Sequence, residues 1–248
     1  MVETPLYPGE SVEDLMCQGL RIIQHKSSYR FAIDAVVLAN FVKAGPRDTV
    51  VDLGTGSGVI PLLLSAKTSA SRIVGIEIVE SIADRAKRSV ALNNLDHRIN
   101  IVCGDIKNAP QILGRESFTT VVTNPPYMKA DEGKVSPNVE MAFARHEIGT
   151  TLTDVVQAAA SLLCFGGRFF MVYRTVRLVD AICSLREYHL EPKIIRFIQS
   201  NLTKPPKLFL VMAKKRGSPG LKISPTLVLY DSFGNYTEEV TKMYFETV

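Results

Sequence analysis

The strongest constraint on the fold is the alternation of short apolar runs with helical segments that begins at residue 49. The runs 49–53, 73–77, 99–103 and 118–123 have the length of buried strands, and glycine-rich turns or helical stretches follow them. Strands joined in this way pair in parallel through right-handed crossovers, so that helices cover both faces of the sheet. The sequence therefore predicts a doubly wound, mostly parallel α/β fold.

Both ends of the chain add to this core. Residues 16–25 indicate a short hairpin that turns at Gly19, and residues 31–41 form an apolar pattern typical of a helix. We expect an N-terminal extension over residues 1–45, packed on a main domain over residues 46–248. The late runs 193–198 and 208–213 predict an antiparallel pair at the edge of the sheet, whereas the turn signals beyond residue 217 do not place that segment.

The turn after the first strand has the composition of a ligand loop. It reads Asp52-Leu53-Gly54-Thr55-Gly56-Ser57-Gly58, and its glycines permit positive φ and close approach of a ligand to the backbone. The spacing differs from the Gly-x-Gly-x-x-Gly of dinucleotide sites, and no Gly-Lys-Ser/Thr follows for a triphosphate. Asp52 would repel a pyrophosphate, but it would attract a ligand that carries an ammonium and a sulfonium.

Acidic residues also follow the next two strands. Glu77 ends the second strand, where a carboxylate accepts hydrogen bonds from ribose hydroxyls, and Asp105 follows the third, where it could accept from an adenine amino group. Capping of the following helix is the alternative for Asp52 and for Asp105. Taken with the glycines, the three acids predict an S-adenosylmethionine site, with S-adenosylhomocysteine as the product.

Asn124-Pro125-Pro126-Tyr127 follows the fourth strand. Two consecutive prolines end any strand, so the motif is at least a rigid turn. The Asn124 amide oxygen and the Pro125 carbonyl can also accept two N–H groups of a planar amine, which turns the nitrogen lone pair outward. Tyr127 can then stack on the base. These four residues are the predicted catalytic site.

Together, these motifs resemble the class I S-adenosylmethionine-dependent methyltransferases that modify planar nitrogens. The resemblance implies a seven-stranded sheet with a reversed last strand. It also implies that the cofactor contacts include four further residues: Asp34, Ile78, Ile106 and Asn124. The stretches 29–39 and 144–147 are similar to the bacterial family that methylates N6 of the adenine beside the anticodon of a valine tRNA.

The charge distribution bears on the substrate. Residues 166–248 contain 13 Lys+Arg against 7 Asp+Glu, although the whole chain has a formal charge of only +4. An uneven basic charge suits an anionic polymer, and we expect a nucleic acid, tRNA in particular, whose target base is splayed out of its stack. The candidate substrate contacts are Tyr127, Lys129, Arg145, Lys204, Lys207, Lys214 and Lys215.

Three other functions stay open at this point. They are methylation of guanine N2 in ribosomal RNA, methylation of a glutamine amide in a protein, and a binding module without catalysis. The longest apolar runs are shorter than the roughly 18 residues of a membrane span, and the start lacks the pattern of a signal peptide. Four scattered cysteines do not fit a zinc pattern. We expect a cytoplasmic protein without a metal, and the sequence does not indicate its oligomeric state.

Overall fold

The protein is built around one large sheet, and the computed structural model describes residues 4–26, 32–125 and 150–245. The sheet contains eight strands within these ranges, in the order β10-β8-β9-β7-β6-β3-β4-β5. They are β3 (Thr49–Leu53), β4 (Arg72–Glu77), β5 (Ile99–Cys103), β6 (Phe118–Thr123), β7 (Leu163–Arg174), β8 (Leu190–Gln199), β9 (Leu208–Lys215) and β10 (Lys222–Val228).

All neighbouring strands pair in parallel except for β9, which is antiparallel to both β7 and β8. The predicted doubly wound, mostly parallel sheet is therefore confirmed, as is the antiparallel pairing of the two late runs. The expected seven strands with a reversed last strand are corrected to eight, because β10 adds a strand beside β8 and follows the reversed β9. Most of β10 is exposed, so its residues lack the apolar pattern that marks the buried strands.

Helices cover both faces of this sheet. The first face carries α1 (Ile33–Phe41), α2 (Val59–Lys67), α3 (Glu80–Leu92) and α7 (Glu238–Phe245). The second face carries α4 (Ala109–Leu113), α5 (Leu152–Leu162) and α6 (Leu178–Glu187). None of the helices within the described ranges is long and apolar enough to cross a membrane.

The N-terminal hairpin of β1 (Glu10–Asp14) and β2 (Arg21–His25) packs on α3. The Ile23 amide donates to Ser89 Oγ at 3.0 Å, and Arg88 forms an ion pair of 2.7 Å with Glu10. Hydrogen bonding from Arg88 is the main reason that the pKa of Glu10 is lowered to about 2. The hairpin prediction is confirmed, although its first strand begins at Glu10 instead of Met16, and the boundary at residue 45 stays a prediction.

Candidate active site at the carboxyl ends of β3, β4 and β6

The register of three parallel strands brings the sequence motifs together. Leu53, the last residue of β3, lies opposite Ile76 on β4 and opposite Thr123 on β6. Glu77 and Asn124 each follow one of these partners, so both lie beside Gly54 at the same edge of the sheet. Ligands of open α/β sheets bind at this edge, beyond the carboxyl ends of the strands.

The glycine loop is held close to β4 by its backbone. The amides of Gly54 and Thr55 both donate to the Ile76 carbonyl at 3.0 Å. Gly54, Gly56 and Gly58 have φ values of +72°, +55° and +84°, which glycine adopts without the strain of a side chain. Among the described residues, no atom beyond the immediate chain neighbours lies within 4 Å of the position that a Cβ would take on Gly56, so none of them covers the loop at this point.

Glu77 holds its carboxylate against this loop. One carboxylate oxygen accepts the Gly56 amide at 2.9 Å and the other accepts the Val79 amide at 3.0 Å. The side chain is therefore fixed in place at the end of β4. Each carboxylate oxygen has more than one lone pair, so Glu77 can still accept hydrogen bonds from ribose hydroxyls.

Asp52 lies fully buried one residue before the end of β3. Neither of its carboxylate oxygens has a hydrogen-bond partner among the residues that the structure describes. The pKa of Asp52 is raised to about 7, chiefly because burial disfavours its charged form; the Thr55 hydroxyl opposes this shift, and the Glu77 charge adds to it. Because Asp52 is enclosed, its charge acts on a ligand from beneath the glycine loop.

The remaining predicted cofactor residues surround the loop or lie near it. Asp105 accepts the Lys107 amide at 2.8 Å, so the helix cap considered as an alternative is present. Ile106 approaches Gly54, since its Cδ1 would lie 3.6 Å from a Cβ at that glycine. Ile78 is exposed just after Glu77. Asp34 is buried in the first turn of α1, where it accepts the Ala35 amide at 2.9 Å.

The motif Asn124-Pro125-Pro126-Tyr127, which we call the acceptor turn, begins beside the glycine loop. The Thr123 hydroxyl donates to the Leu53 carbonyl at 2.9 Å, immediately before both motifs begin. Asn124 is half-buried and Pro125 is buried. Four of the predicted site residues lie outside the described residues: Pro126, Tyr127, Lys129 and Arg145.

The sequence analysis missed two residues that shape this site. A Cβ at Gly75 would lie 2.7 Å from Thr55 Oγ1, so Gly75 makes room for the loop against β4. The second residue is Thr123, whose hydroxyl joins the ends of β3 and β6. A glycine inside an apolar strand is a recognisable signal of close approach, and the sequence contains it at Gly75.

The four predicted lysine contacts in the last third are divided between two edges of the sheet. Lys204 and Lys207 are exposed in the loop between β8 and β9, at the same edge as the glycine loop. Lys214 and Lys215 lie at the other end of β9, where Lys214 pairs in register with Arg168. Lys215 is buried and binds Glu116 at 2.8 Å.

The chemistry of the described residues fits S-adenosylmethionine. A buried carboxyl without a partner supplies negative charge, a fixed carboxylate supplies acceptors, and the glycine loop leaves space beside them. A sulfonium and an ammonium require negative charge, and a ribose requires acceptors for its hydroxyls. Asp52 on β3 supplies the charge and Glu77 on the neighbouring strand β4 supplies the acceptors.

Comparison with known proteins agrees with this geometry. Residues 27–187 match the model of the methyltransferase small domain. A Porphyromonas gingivalis protein named tRNA1(Val) (adenine(37)-N6)-methyltransferase is 27% identical, covering 90% of this chain and 89% of the relative. A Haemophilus influenzae protein of the same name is 25% identical, covering 90% of this chain and 94% of the relative.

Solved structures show the same fold. One is a predicted O-methyltransferase from Agrobacterium tumefaciens, with a TM-score of 0.69, 22% identity and coverage of 85% of this chain and 95% of that chain. Another is Trm5 from Methanocaldococcus jannaschii in complex with adenosine, with a TM-score of 0.61 and 15% identity, covering 86% of this chain and 57% of that chain. Because the family model matches more than half of this chain, the chain belongs to the methyltransferase small domain family.

Proposed function

We propose that this methyltransferase transfers a methyl group from S-adenosylmethionine to N6 of an adenine in a tRNA anticodon loop. The observation that carries the proposal is the register of β3 and β6, which sets Asn124 beside Gly54. A cofactor loop and a pair of acceptors for a planar amine are thereby adjacent. The names of the Porphyromonas and Haemophilus relatives support adenine N6 as the target.

The cofactor would be held by residues at the ends of strands and helices. Glu77 would accept hydrogen bonds from its ribose hydroxyls, Asp105 would accept from its adenine amino group, and Ile78 and Ile106 would contact it. Asp52 and Asp34 supply negative charge near the glycine loop. When bound, S-adenosylmethionine supplies an electrophilic methyl group on a positively charged sulfur.

The chain itself orients the acceptor nitrogen. The Asn124 amide oxygen and the Pro125 carbonyl each accept one N–H of the adenine amino group, which directs its lone pair away from the ring. Positioning of this kind can supply effective molarities of roughly 10⁵ M or more in favourable cases. Tyr127 stacks on the base and holds it in the site. The amine becomes acidic once it is methylated, so no strong base is needed to remove its proton.

The target must leave its stack to enter such a site, and an unpaired anticodon loop permits this at a cost of a few kcal/mol. Guanine N2 and a glutamine amide offer similar N–H pairs, and we rank them second because the relatives are named for adenine. An enzyme that modifies tRNA works where tRNA is found, so we propose a cytoplasmic location.

The decisive experiment supplies methyl-labelled S-adenosylmethionine and unmodified tRNA, followed by nucleoside mass spectrometry. We expect N6-methyladenosine from the native protein. Asn124→Ala should abolish turnover while cofactor affinity stays nearly unchanged, and Asn100→Ala, at an exposed position of β5, should behave as the native protein. Label in N2-methylguanosine or in protein would replace the proposed substrate, and full turnover by Asn124→Ala would contradict the mechanism.

A further inference from the structure

Three loops adjoin the acceptor turn along the same edge of the sheet. They follow β7, β8 and β10, and span residues 175–177, 200–207 and 229–236. The Thr175 amide donates to the Lys207 carbonyl at 3.0 Å, and the Tyr230 amide donates to the Ser200 carbonyl at 2.9 Å. Because β7 lies next to β6, the first of these loops begins close to Asn124. The loops therefore form a continuous surface that starts at the candidate active site.

Each loop exposes at least one large apolar side chain to solvent. Val176 is 76% exposed, Leu202 is 82% exposed and Phe233 is 87% exposed. Water solvates such groups poorly, so a phenylalanine held almost fully in solvent is unfavourable unless a partner covers it. The three side chains have no such partner within the described part of the chain.

The loop that carries Phe233 is internally ordered. Asp231 Oδ1 accepts the Phe233 amide at 2.8 Å and the Asn235 amide at 2.9 Å. The rings of Tyr230 and Tyr236 stack below the loop, with their centroids 5.2 Å apart. Phe233 is thus presented by a structured turn, which lowers the entropy lost when a partner binds.

Cationic side chains lie between the apolar ones. They are Arg174, Lys204 and Lys207, and the described residues provide no ion-pair partner for any of them. Some basic residues of the last third are paired, as Arg168 is with Asp48, whereas Lys214 and Lys222 at the opposite edge also lack an ion-pair partner among the described residues. What distinguishes the cations at the active-site edge is that they lie beside exposed apolar side chains.

We propose that these three loops form the docking surface for the single-stranded RNA that flanks the target adenine. We call it the loop surface, and it comprises Arg174, Val176, Leu202, Lys204, Lys207 and Phe233. Phe233 stacks on a base, Val176 and Leu202 pack against bases or riboses, and the cations contact phosphates. This inference rests on the proposed function, because the RNA is the substrate whose adenine enters the site.

The chemistry of the loop surface favours RNA over a protein partner. The core of a protein interface is depleted of charged residues, whereas here cations lie two residues from Val176 and from Leu202 in the chain. Single-stranded RNA needs alternating contacts of this kind, since it presents bases and phosphates at short intervals. The distance also fits: four strand spacings, roughly 19 Å, separate β6 from β10, which an extended strand of several nucleotides can span.

The test measures RNA binding and methylation separately in the full-length protein. Binding of a fluorescein-labelled, unmodified anticodon stem-loop is followed by anisotropy, and kcat and KM are measured on the whole tRNA. We expect Leu202→Ala combined with Phe233→Ala to raise Kd and KM about tenfold or more, with kcat and cofactor affinity unchanged. Phe165→Ala is the matched control, because Phe165 is 75% exposed at the opposite edge of the sheet.

The cations are tested by salt dependence. Lys204→Ala with Lys207→Ala should reduce the slope of log K against log salt by about 1.4, since each phosphate contact on a single strand contributes roughly 0.7. Lys222→Ala, which removes an exposed lysine at the opposite edge, should leave the slope unchanged.

The outcomes separate the two proposals. If the native protein binds the stem-loop but methylates no adenine, the proposed function fails and the loop surface stands. If the Leu202 and Phe233 variants bind RNA as tightly as the native protein, the loop surface is refuted, whatever the methylation result. A melting temperature equal to that of the native protein will show that the variants are folded.

Discussion

Asp52→Asn should change how the stability of the protein depends on pH. The carboxyl is fully buried and neither oxygen has a hydrogen-bond partner among the described residues, so its charged form is unfavourable in the folded state. Its pKa is raised from 3.8 to about 7. The folded protein therefore holds a proton on Asp52 at pH values where the unfolded chain has lost it. Stability is fully present below pH 3.8 and falls as the pH rises toward 7.

The size of this effect follows from the two pKa values. Each pKa unit corresponds to about 1.4 kcal/mol, so the interval from 3.8 to about 7 sets an upper limit of about 4 kcal/mol. Relaxation of the site will reduce it, and we expect Asp52→Asn to be about 2 kcal/mol more stable than the native protein at pH 8. The difference at pH 5 should be smaller, since Asp52 is then largely protonated.

Urea unfolding between pH 5 and 8.5, without cofactor, tests this prediction. Circular dichroism is the suitable probe because the chain contains no tryptophan. Added S-adenosylmethionine should stabilise the native protein more than Asp52→Asn, because only the native protein has the buried negative charge. Identical pH profiles for the two proteins would refute the argument.

Three further predictions concern the hairpin, the glycine loop and the acceptor turn. Glu10→Gln should lower stability by about 2 kcal/mol at pH 7, because the lowered pKa of Glu10 stabilises the fold above pH 4.5; urea unfolding should show the gap closing as the pH falls toward 2. Gly58→Ala should lower the melting temperature and the cofactor affinity more than Gly19→Ala does. Both glycines have positive φ, so both substitutions strain the backbone. Of the two, only Gly58 has a described neighbour close to the added Cβ, which is Ala86 Cβ at 3.2 Å. Thr123→Val should lower kcat several-fold while the Kd of the cofactor, measured by calorimetry, stays within about twofold, since the lost hydrogen bond positions Asn124. A kcat equal to that of the native protein would show that this hydrogen bond does not position the turn.

The residues of the cofactor loop were predictable because their signal is local. Three alternate glycines and a preceding acid occupy seven consecutive residues, and the strand that precedes them is recognisably apolar. Glu77 and Asp105 follow from the same logic, since Glu77 is the last residue of β4 and Asp105 comes two residues after β5. In such cases, the order of the residues along the chain fixes their position at the edge of the sheet.

Contacts between distant strands could not be predicted in this way. The hydrogen bond from Thr123 to Leu53 joins residues 70 positions apart, and it depends on a register that the apolar pattern of each strand does not specify. Lys207 and Lys214 illustrate the same limit. They are close in sequence, but the seven residue steps between them run along an extended strand for roughly 23 Å, which separates the two lysines across the sheet.

The reversal of β9 explains why only part of the basic charge faces the active site. Since β9 is antiparallel to β8, the loop that joins them, residues 200–207, turns at the edge where the acceptor turn lies. The chain then reaches the opposite edge at Lys215 and must cross back, because β10 is parallel to β8. Segment 229–236 therefore returns to the active-site edge, and segment 216–221 stays away from it. A single reversed strand thus assigns every second connection of the last third to the substrate side, and it is these connections that carry Leu202, Lys204 and Phe233.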